Sequence, residues 1–303
     1  MRKQHKKALA FSRVSIRVTY AIYSCHNVIE KLCTTHQLSC GGDAGMNTLS
    51  SIKGILFDLD GVLYIGSHAV EGAIEAVGKI RTSGIKCRFV TNTSTLSLAS
   101  LEQKMNALGF SIPTNEIISA PQATYLYLKR QHNPVCRLLL AEDVKKDFRE
   151  FNQSGQVNYI VIGDIGDTWS YSLLNQVFND LTNGAKLIAI HKNRFWQTEH
   201  GLQMDIGGFV DALEYASGVK AMIIGKPSPE FFQIALDDIG LKPSEVAIIG
   251  DDIDVDIGGG QQIGLKGIMV RTGKYRQSYA ESSTIKPNLI IDSIVDLPKV
   301  LGL

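Results

Sequence analysis

Residues 51–303 predict an α/β protein: a doubly wound, parallel-sheet (Rossmann-like) core with an inserted smaller α/β cap domain. Three observations predict it. Short apolar runs alternate with amphipathic helical stretches from Ser51 onward, the rhythm of βα units that feed a parallel sheet. Residues able to do chemistry gather after only four of those runs, whereas a barrel active site would draw on strand ends all round. No internal repeat or heptad run is present, so solenoids and coiled coils drop out.

Taken in order, the first run is Gly54–Asp58, apolar on both faces as a buried parallel strand must be. Ala73–Thr82 then reads as a helix closed by Gly84, before a strand at Lys86–Thr91. Leu96–Leu108, closed by Gly109, and Pro121–Arg130 are the next helices. Strands at Arg137–Ala141, Tyr159–Ile162 and Lys186–Ile190 follow, with a helix at Ser170–Asn183 ending on Gly184. Ala221–Ile224, Val246–Gly250 and Gly267–Val270 are strands, and Leu289–Ile291 is a weak last one. The helices Pro229–Ile239 and Val255–Ile263 lie between them and end at Gly240 and Gly264. The strands between Arg137 and Ile190 end without an obvious catalytic cluster. That silence divides the chain into an extension at 1–50, a core at 51–131 and 205–303, and an insert at 132–204.

The composition, 44% hydrophobic and 20% charged over 303 residues, fits a globular protein of one or two domains. Its net charge of +1 hides an asymmetry: residues 1–45 carry seven Lys/Arg against two acidic residues, so +1 less +5 leaves −4 for residues 46–303. A mildly acidic folded part argues against nucleic acid as a partner, and no run of 18 apolar residues offers a membrane span. The first 45 residues are basic, serine-containing and poor in acids, as a transit peptide is, but lack the apolar stretch of a secretory signal. The plainer expectation is that Met46 is the natural start and that the protein is cytoplasmic. Cys25, His26, Cys33, His36 and Cys40 lack the C-x2-C pairing of a zinc site, while Cys87 and Cys136 lie in apolar segments and read as reduced core residues.

The chemistry concentrates in Asp58-Leu-Asp60-Gly61, Thr91-Asn92, Gly225-Lys226-Pro227 and Gly250-Asp251-Asp252, with Asp254 and Asp256 close behind. Carboxylates brought to one crevice repel and raise each other's pKa unless a cation joins them. An oxygen donor set without His or Cys favours Mg²⁺ over zinc. Lys226 offers a point charge and Thr91 a hydroxyl, both suited to a phosphoryl group, and an aspartate can be its nucleophile. Each residue also has a plainer reading. Asp58 and Asp60 would serve as solvated groups in a turn, Lys226 as a loop lysine, and Asp251–Asp256 as the acidic first turn of a helix. Thr91 would serve as a helix N-cap, though Ser94 or Thr95 is better placed before Leu96. Gly258-Gly259-Gly260 lacks the G-x-G-x-x-G spacing of a nucleotide loop.

Read together, DxDGVL at 58–63, Thr91, Lys226 and GDDxxxD at 250–256 resemble the four motifs of the haloacid dehalogenase-like hydrolase superfamily. The long insert between Thr91 and Lys226 resembles its C2-capped (class IIA) subfamily. GILFDLDGVLYIG, FVTNTS, IGKPSPEFF, IGDDIDVDIGGGQ and MVRTGKYR are similar to the group of hydrolase-domain-containing protein 2 and phospholysine phosphohistidine inorganic pyrophosphate phosphatase. Thr91-Asn92-Thr93-Ser94 departs from the TNNS or TNST common in that subclass. The resemblance implies an Mg²⁺-dependent phosphatase of a small phosphorylated metabolite, with pyrophosphate or a phosphoamino acid within its range. Asp58 would be the nucleophile and Asp60 the acid and base. Asp58, Asp251 and the Asp60 carbonyl would hold the metal, Thr91, Asn92 and Lys226 the phosphate, and Asp252 and Asp256 a supporting role. Dimers through the cap are usual among similar proteins. A phosphotransferase or phosphomutase, or a non-catalytic phospho-ligand-binding protein, would use the same pocket; Asp60 beside Asp58 favours turnover. His191, Arg194, Trp196, His200 and Met204 are candidates to face substrate from the insert, with a structural role an even alternative.

Overall fold

A strand that is apolar on both faces needs cover on both, and the helices that follow each strand supply it. The computed structural model describes Leu49, residues 51–198 and residues 201–303. The transit-peptide and zinc readings of residues 1–45, the start at Met46 and His200 lie outside the described residues, as does most of the extension at 1–50. In chain order the strands are β1 (Gly54–Asp58), β2 (Tyr64–Ile65), β3 (His68–Ala69), β4 (Lys86–Thr91), β5 (Ile117–Ser119), β6 (Cys136–Leu139), β7 (Tyr159–Ile162), β8 (Lys186–Ala189), β9 (Phe195–Thr198), β10 (Gly201–Met204), β11 (Met222–Ile223), β12 (Val246–Gly250), β13 (Lys266–Val270) and β14 (Leu289–Ile291). The helices are α1 (Ala73–Thr82), α2 (Leu98–Ala107), α3 (Ala120–Lys129), α4 (Glu142–Lys145), α5 (Tyr171–Thr182), α6 (Gly207–Ser217), α7 (Pro229–Ile239), α8 (Gly259–Gln262), α9 (Gln277–Ser282) and α10 (Leu297–Val300).

Six parallel strands form the core sheet in the order β14-β13-β12-β1-β4-β5, and four more form a separate parallel sheet, β11-β8-β7-β6. From β1 the chain winds outward through β4 to β5, and it later fills the other side from β12 to β14. The carboxyl ends of β1 and β12 therefore flank the point where the winding reverses, which is where open α/β sheets bind ligands.

Alternation along β1 assigns the two faces. Ile55 and Phe57 join Phe89, Leu101 and Ile294 on one side, with Phe57 and Phe89 stacked 5.3 Å apart. Leu56 joins Val90, Ile248, Phe231 and Phe232 on the other. That second cluster runs on without a break into Leu138, Leu140, Phe148, Val161 and Ile188 of the inserted region, through Ala120, Ala123 and Leu128 of α3. The far side of the smaller sheet has its own cover, Val177 and Leu181 of α5 and Val210 and Leu213 of α6 over Ile160, Ile162 and Leu187. Leu49 and Ile52 are buried against the first cluster, so the core begins just before Ser51.

Several expectations shift. The strand read at 221–224 is Met222–Ile223, and its ladder runs to Ile188 and Ala189, so it belongs to the smaller sheet rather than the core sheet. The strands of that sheet thus extend past Met204. Helix α2 starts at Leu98, and its N-cap is Ser97, whose hydroxyl accepts from the Ser100 N–H, rather than Ser94 or Thr95. The helix read at 255–263 opens earlier, as a wide π-type turn over Ile253–Gly258 that passes into α8. Among the described residues no helix is long and apolar enough to cross a membrane, and Cys87 and Cys136 are buried and free.

Candidate active site

Asp58 ends β1, and its neighbours on either side come from the ends of β4 and β12. A strand that stops at the carboxyl edge of a sheet delivers its last side chain into the crevice, and here that side chain is a buried carboxylate. Lys226 reaches it from the loop before α7. Its Nζ lies 2.6 Å from Asp58 Oδ1 and 2.6 Å from Asp256 Oδ1, and both pairs are buried. Burial alone would lower the lysine's pKa, but Asp256 and Asp58 reverse that and hold it raised, so the ammonium stays charged.

The carboxylates carry the opposite strain. Asp58 is pushed up by burial, Lys226 pulls it back, and Asp251 adds to the push. Burial, reinforced by Asp256, lifts Asp251 to about 6, and burial, reinforced by Asp58, lifts Asp256 to about 7. Carboxylate oxygens of Asp58, Asp251 and Asp256 lie within 4.8 Å of one another. The three do not stand alike. Asp256 is engaged on both oxygens, by Lys226 Nζ and by the Asp252 N–H at 3.2 Å. Asp251 Oδ2 accepts the Lys274 N–H at 2.6 Å, but its Oδ1 is buried without a partner. An orphaned, buried oxygen on a carboxylate clustered with two others fits a hard divalent cation, which would take oxygens from Asp58 and Asp251.

Two glycines hold Asp251 in place. At Gly61, with φ +87, and at Gly273, with φ +63, a Cβ would sit 2.0 Å from Asp251 Oδ2. Only glycine lets both backbones close on that oxygen in the left-handed conformation. Thr272 donates its hydroxyl to the Gly61 carbonyl and ties the two turns together.

The remaining residues read from sequence take distinct places. Asp60 is exposed one turn beyond Asp58 and its carboxylate stands apart from the buried three. Thr91 is buried at the end of β4; its Oγ1 accepts the Thr93 N–H at 3.1 Å and shares a hydrogen with Thr93 Oγ1 at 2.9 Å. Asn92, read as a phosphate ligand, instead spends its amide on Lys226: Nδ2 donates to the Lys226 carbonyl and Oδ1 accepts its N–H, both at 2.8 Å. Asp252 caps the turn at 253–258 through the Asp254 and Val255 N–H groups, each at 3.1 Å. In the insert, Arg194 and Met204 are exposed, whereas His191 is buried with Nε2 3.1 Å from Ser94 Oγ on the loop after β4.

Sequence reasoning assigned no role to Thr93 or to the loop Thr272-Gly273-Lys274. Position held the signal for the second: the loop follows β13, the strand next to β12, at the same edge of the sheet. The cap also grips this region. Ser97 N–H donates to Asp143 Oδ2 at 2.7 Å and Leu98 N–H to Asp147 Oδ2 at 2.9 Å, so two carboxylates of the insert close the N-terminus of α2.

The fold and this constellation have counterparts. A family model described as haloacid dehalogenase-like hydrolase matches residues 55–154, and one described as HAD-hydrolase-like matches residues 223–297. The chain is 38% identical over 260 residues to phospholysine phosphohistidine inorganic pyrophosphate phosphatase of Homo sapiens, covering 84% of this chain and 95% of that one. It is 40% identical over 249 residues to haloacid dehalogenase-like hydrolase domain-containing protein 2 of Bos taurus, covering 82% and 95%. Among solved structures, the p-nitrophenyl phosphatase from Archaeoglobus fulgidus superposes with a TM-score of 0.77 at 27% identity, over 83% of this chain and 99% of that one. Both matched segments carry the carboxylates that meet between β1 and β12, and with that shared architecture the chain belongs to the haloacid dehalogenase-like hydrolase family.

Proposed function

We propose that the protein is an Mg²⁺-dependent phosphatase that hydrolyses a small phosphorylated metabolite through an aspartyl-phosphate on Asp58. One observation carries this reading: the Asp58 carboxylate lies at the reversal of the sheet, paired with Lys226 and within 4.8 Å of a carboxylate oxygen of Asp251, whose Oδ1 is buried without a partner. The named activities of the relatives support it, and they extend the candidate substrates to inorganic pyrophosphate and to phosphorylated lysine or histidine.

Asp58 attacks phosphorus as the bond to the leaving oxygen breaks. Lys226, held charged between Asp58 and Asp256, offsets the negative charge that gathers on the transferred group. Thr91, when its oxygen accepts both the Thr93 N–H and the Thr93 hydroxyl, turns its own hydrogen toward a phosphoryl oxygen. Asp60, outside the buried cluster and near the mouth, gives a proton to the leaving oxygen and takes one from the water that later cleaves the acyl phosphate. When bound by Asp58 and Asp251, Mg²⁺ supplies charge neutralisation and fixes the phosphoryl oxygens. Asn92 positions Lys226 from behind. In this reading the cap comprises residues 132–224, because β11 completes its sheet, and it shields the aspartyl-phosphate from bulk water.

Purified protein should hydrolyse p-nitrophenyl phosphate with Mg²⁺ and lose that activity in EDTA. Asp58→Asn should lower kcat by about 10⁴-fold or more, as removal of a nucleophile does. Asp60→Asn should slow turnover while letting labelled phosphoenzyme accumulate. Activity that persists in Asp58→Asn would sink the mechanism.

A further inference from the structure

The smaller sheet has a crevice of its own. Alternation along β6 sends Leu138 and Leu140 to one face of that sheet and Leu139 to the other. After β6 the chain turns to the first face, where Val144 of α4 and Phe148 join Leu138 and Leu140. After β7 it turns to the second, where Val177 and Leu181 of α5 join Leu139 and Ile160. Parallel neighbours whose connections part to opposite faces leave a gap between their carboxyl ends, the place where open α/β sheets bind ligands. A cavity of about 550 Å³ opens there, within the size range of small-molecule sites. Its walls are the end of β6 at 138–141, the loop after β7 at 164–166, Lys145 of α4 and Leu173 of α5.

The core supplies one further wall, Thr95. Bonds on both sides of that residue hold it over the cap. Ser94 Oγ lies 3.1 Å from Nε2 of His191, just past the end of β8. The Ser97 N–H donates to Asp143 Oδ2 at 2.7 Å, in the first turn of α4. The loop is thus pinned on either flank of the crevice, and an occupant touches core and cap together. None of Asp58, Thr91, Lys226, Asp251 and Asp256 lines the cavity.

The charged groups in the walls say what fits. Among the described residues, Glu142, Lys145 and Asp164 are the ionisable side chains that line it. Lys145 Nζ sits 2.6 Å from Glu142 Oε1, so those two charges cancel. Asp164 accepts the Gly166 N–H through Oδ1 at 2.8 Å, and its Oδ2 takes no hydrogen bond from the described residues. What remains is a single carboxylate beside Ile165 and Leu173.

We propose that this crevice is a second small-molecule site, taking a compound with an apolar body and one ammonium group. The body displaces water from the apolar walls, and the ammonium donates to Asp164 Oδ2. A neutral compound of the same shape lacks the charge-assisted bond. The two sites share no side chain, so binding here does not depend on the phosphatase chemistry.

Calorimetric titration of the full chain with phenylbutylamine tests the assignment, with phenylbutanol as the neutral analogue of the same length. The amine should bind saturably and about tenfold more tightly than the alcohol, the worth of a charge-assisted hydrogen bond. Asp164→Asn keeps an acceptor for the Gly166 N–H without the charge, and should bring the two affinities within about threefold of each other. Thr95→Trp should fill the cavity from the core side and abolish saturable binding of both compounds; if it does not fold, Asp164→Asn carries the test alone. Saturating orthophosphate with Mg²⁺ should leave the amine's affinity unaltered. Equal affinity for amine and alcohol, a preference that survives Asp164→Asn, binding retained in Thr95→Trp, or displacement of the amine by orthophosphate overturns the proposal.

Discussion

Asp251 and Asp256 retain protons that a carboxylate in water would release, one to about pH 6 and the other to about pH 7. Burial is the main cause in both, with a neighbouring carboxylate second. A raised carboxylate pKa means that the folded, metal-free protein holds protons that the unfolded chain has lost. Stability is therefore greatest below the ordinary Asp range, about 3.9, and declines as pH climbs toward 6 and 7. In the proposed function a divalent cation would replace those protons. The Mg²⁺-induced rise in melting temperature should then be larger at about pH 7.5 than at about pH 5, and Asp251→Asn should remove most of the difference. Equal shifts at both values would contradict the assignment of Asp251 to the metal. The carboxylates were legible in sequence because each closes or follows an apolar run. The Asn92 side chain's grip on Lys226 was not legible, because its partner, the Lys226 backbone, lies 134 positions away and carries no side-chain signature.

At the scale of elements, the loop that bears Thr91 is held at its far end by α2, and α2 is held by the cap. Four N–H groups at a helix start lack partners within the helix, and Asp143 and Asp147 satisfy those of Ser97 and Leu98. Asp147 is half-buried and raised by burial, so its contact with Leu98 is shielded from solvent screening. Truncation to Asp147→Ala should cost about 1 kcal/mol, the usual worth of a cap, read as a lower urea midpoint. An unaltered midpoint would show the contact to be incidental. Long buried strands announced themselves through continuous apolar runs, as β1, β7 and β12 show. The short β5 has only Ile117-Ile118-Ser119 to show, and α6 opens on Gly207-Gly208 without a polar cap. Sheet membership of β11 was out of reach, because two residues of strand do not say which ladder they join.

Across the whole molecule, the cluster under α3 and α7 is shared by the two sheets, with Leu138, Leu140 and Ile188 of the cap touching the same apolar body as Leu56 and Ile248. A sheet whose inner face is completed by its neighbour loses that cover when isolated. Thermal unfolding should accordingly show one cooperative transition by both calorimetry and circular dichroism, and residues 132–224 expressed alone should lack a sigmoidal melt. Two resolved transitions, or a folded fragment, would separate the domains. The four motif positions made the family and the parallel core readable from the chain. The joint between core and cap was not, because an apolar residue gives the same signal whichever sheet it covers.

The reversal of winding between β1 and β12 has a consequence for synthesis. Asp58 leaves the ribosome early and Asp251 late, and β12 must join the edge that β1 leaves open before β13 and β14 extend the sheet. Until it does, the nascent chain holds Asp58 without the Asp251 carboxylate or the loop at 272–274 that supports it. The carboxylate cluster is thus completed only once the last third of the polypeptide has docked. The long-range pairing that delays assembly also makes catalytic activity a direct report that the fold is finished.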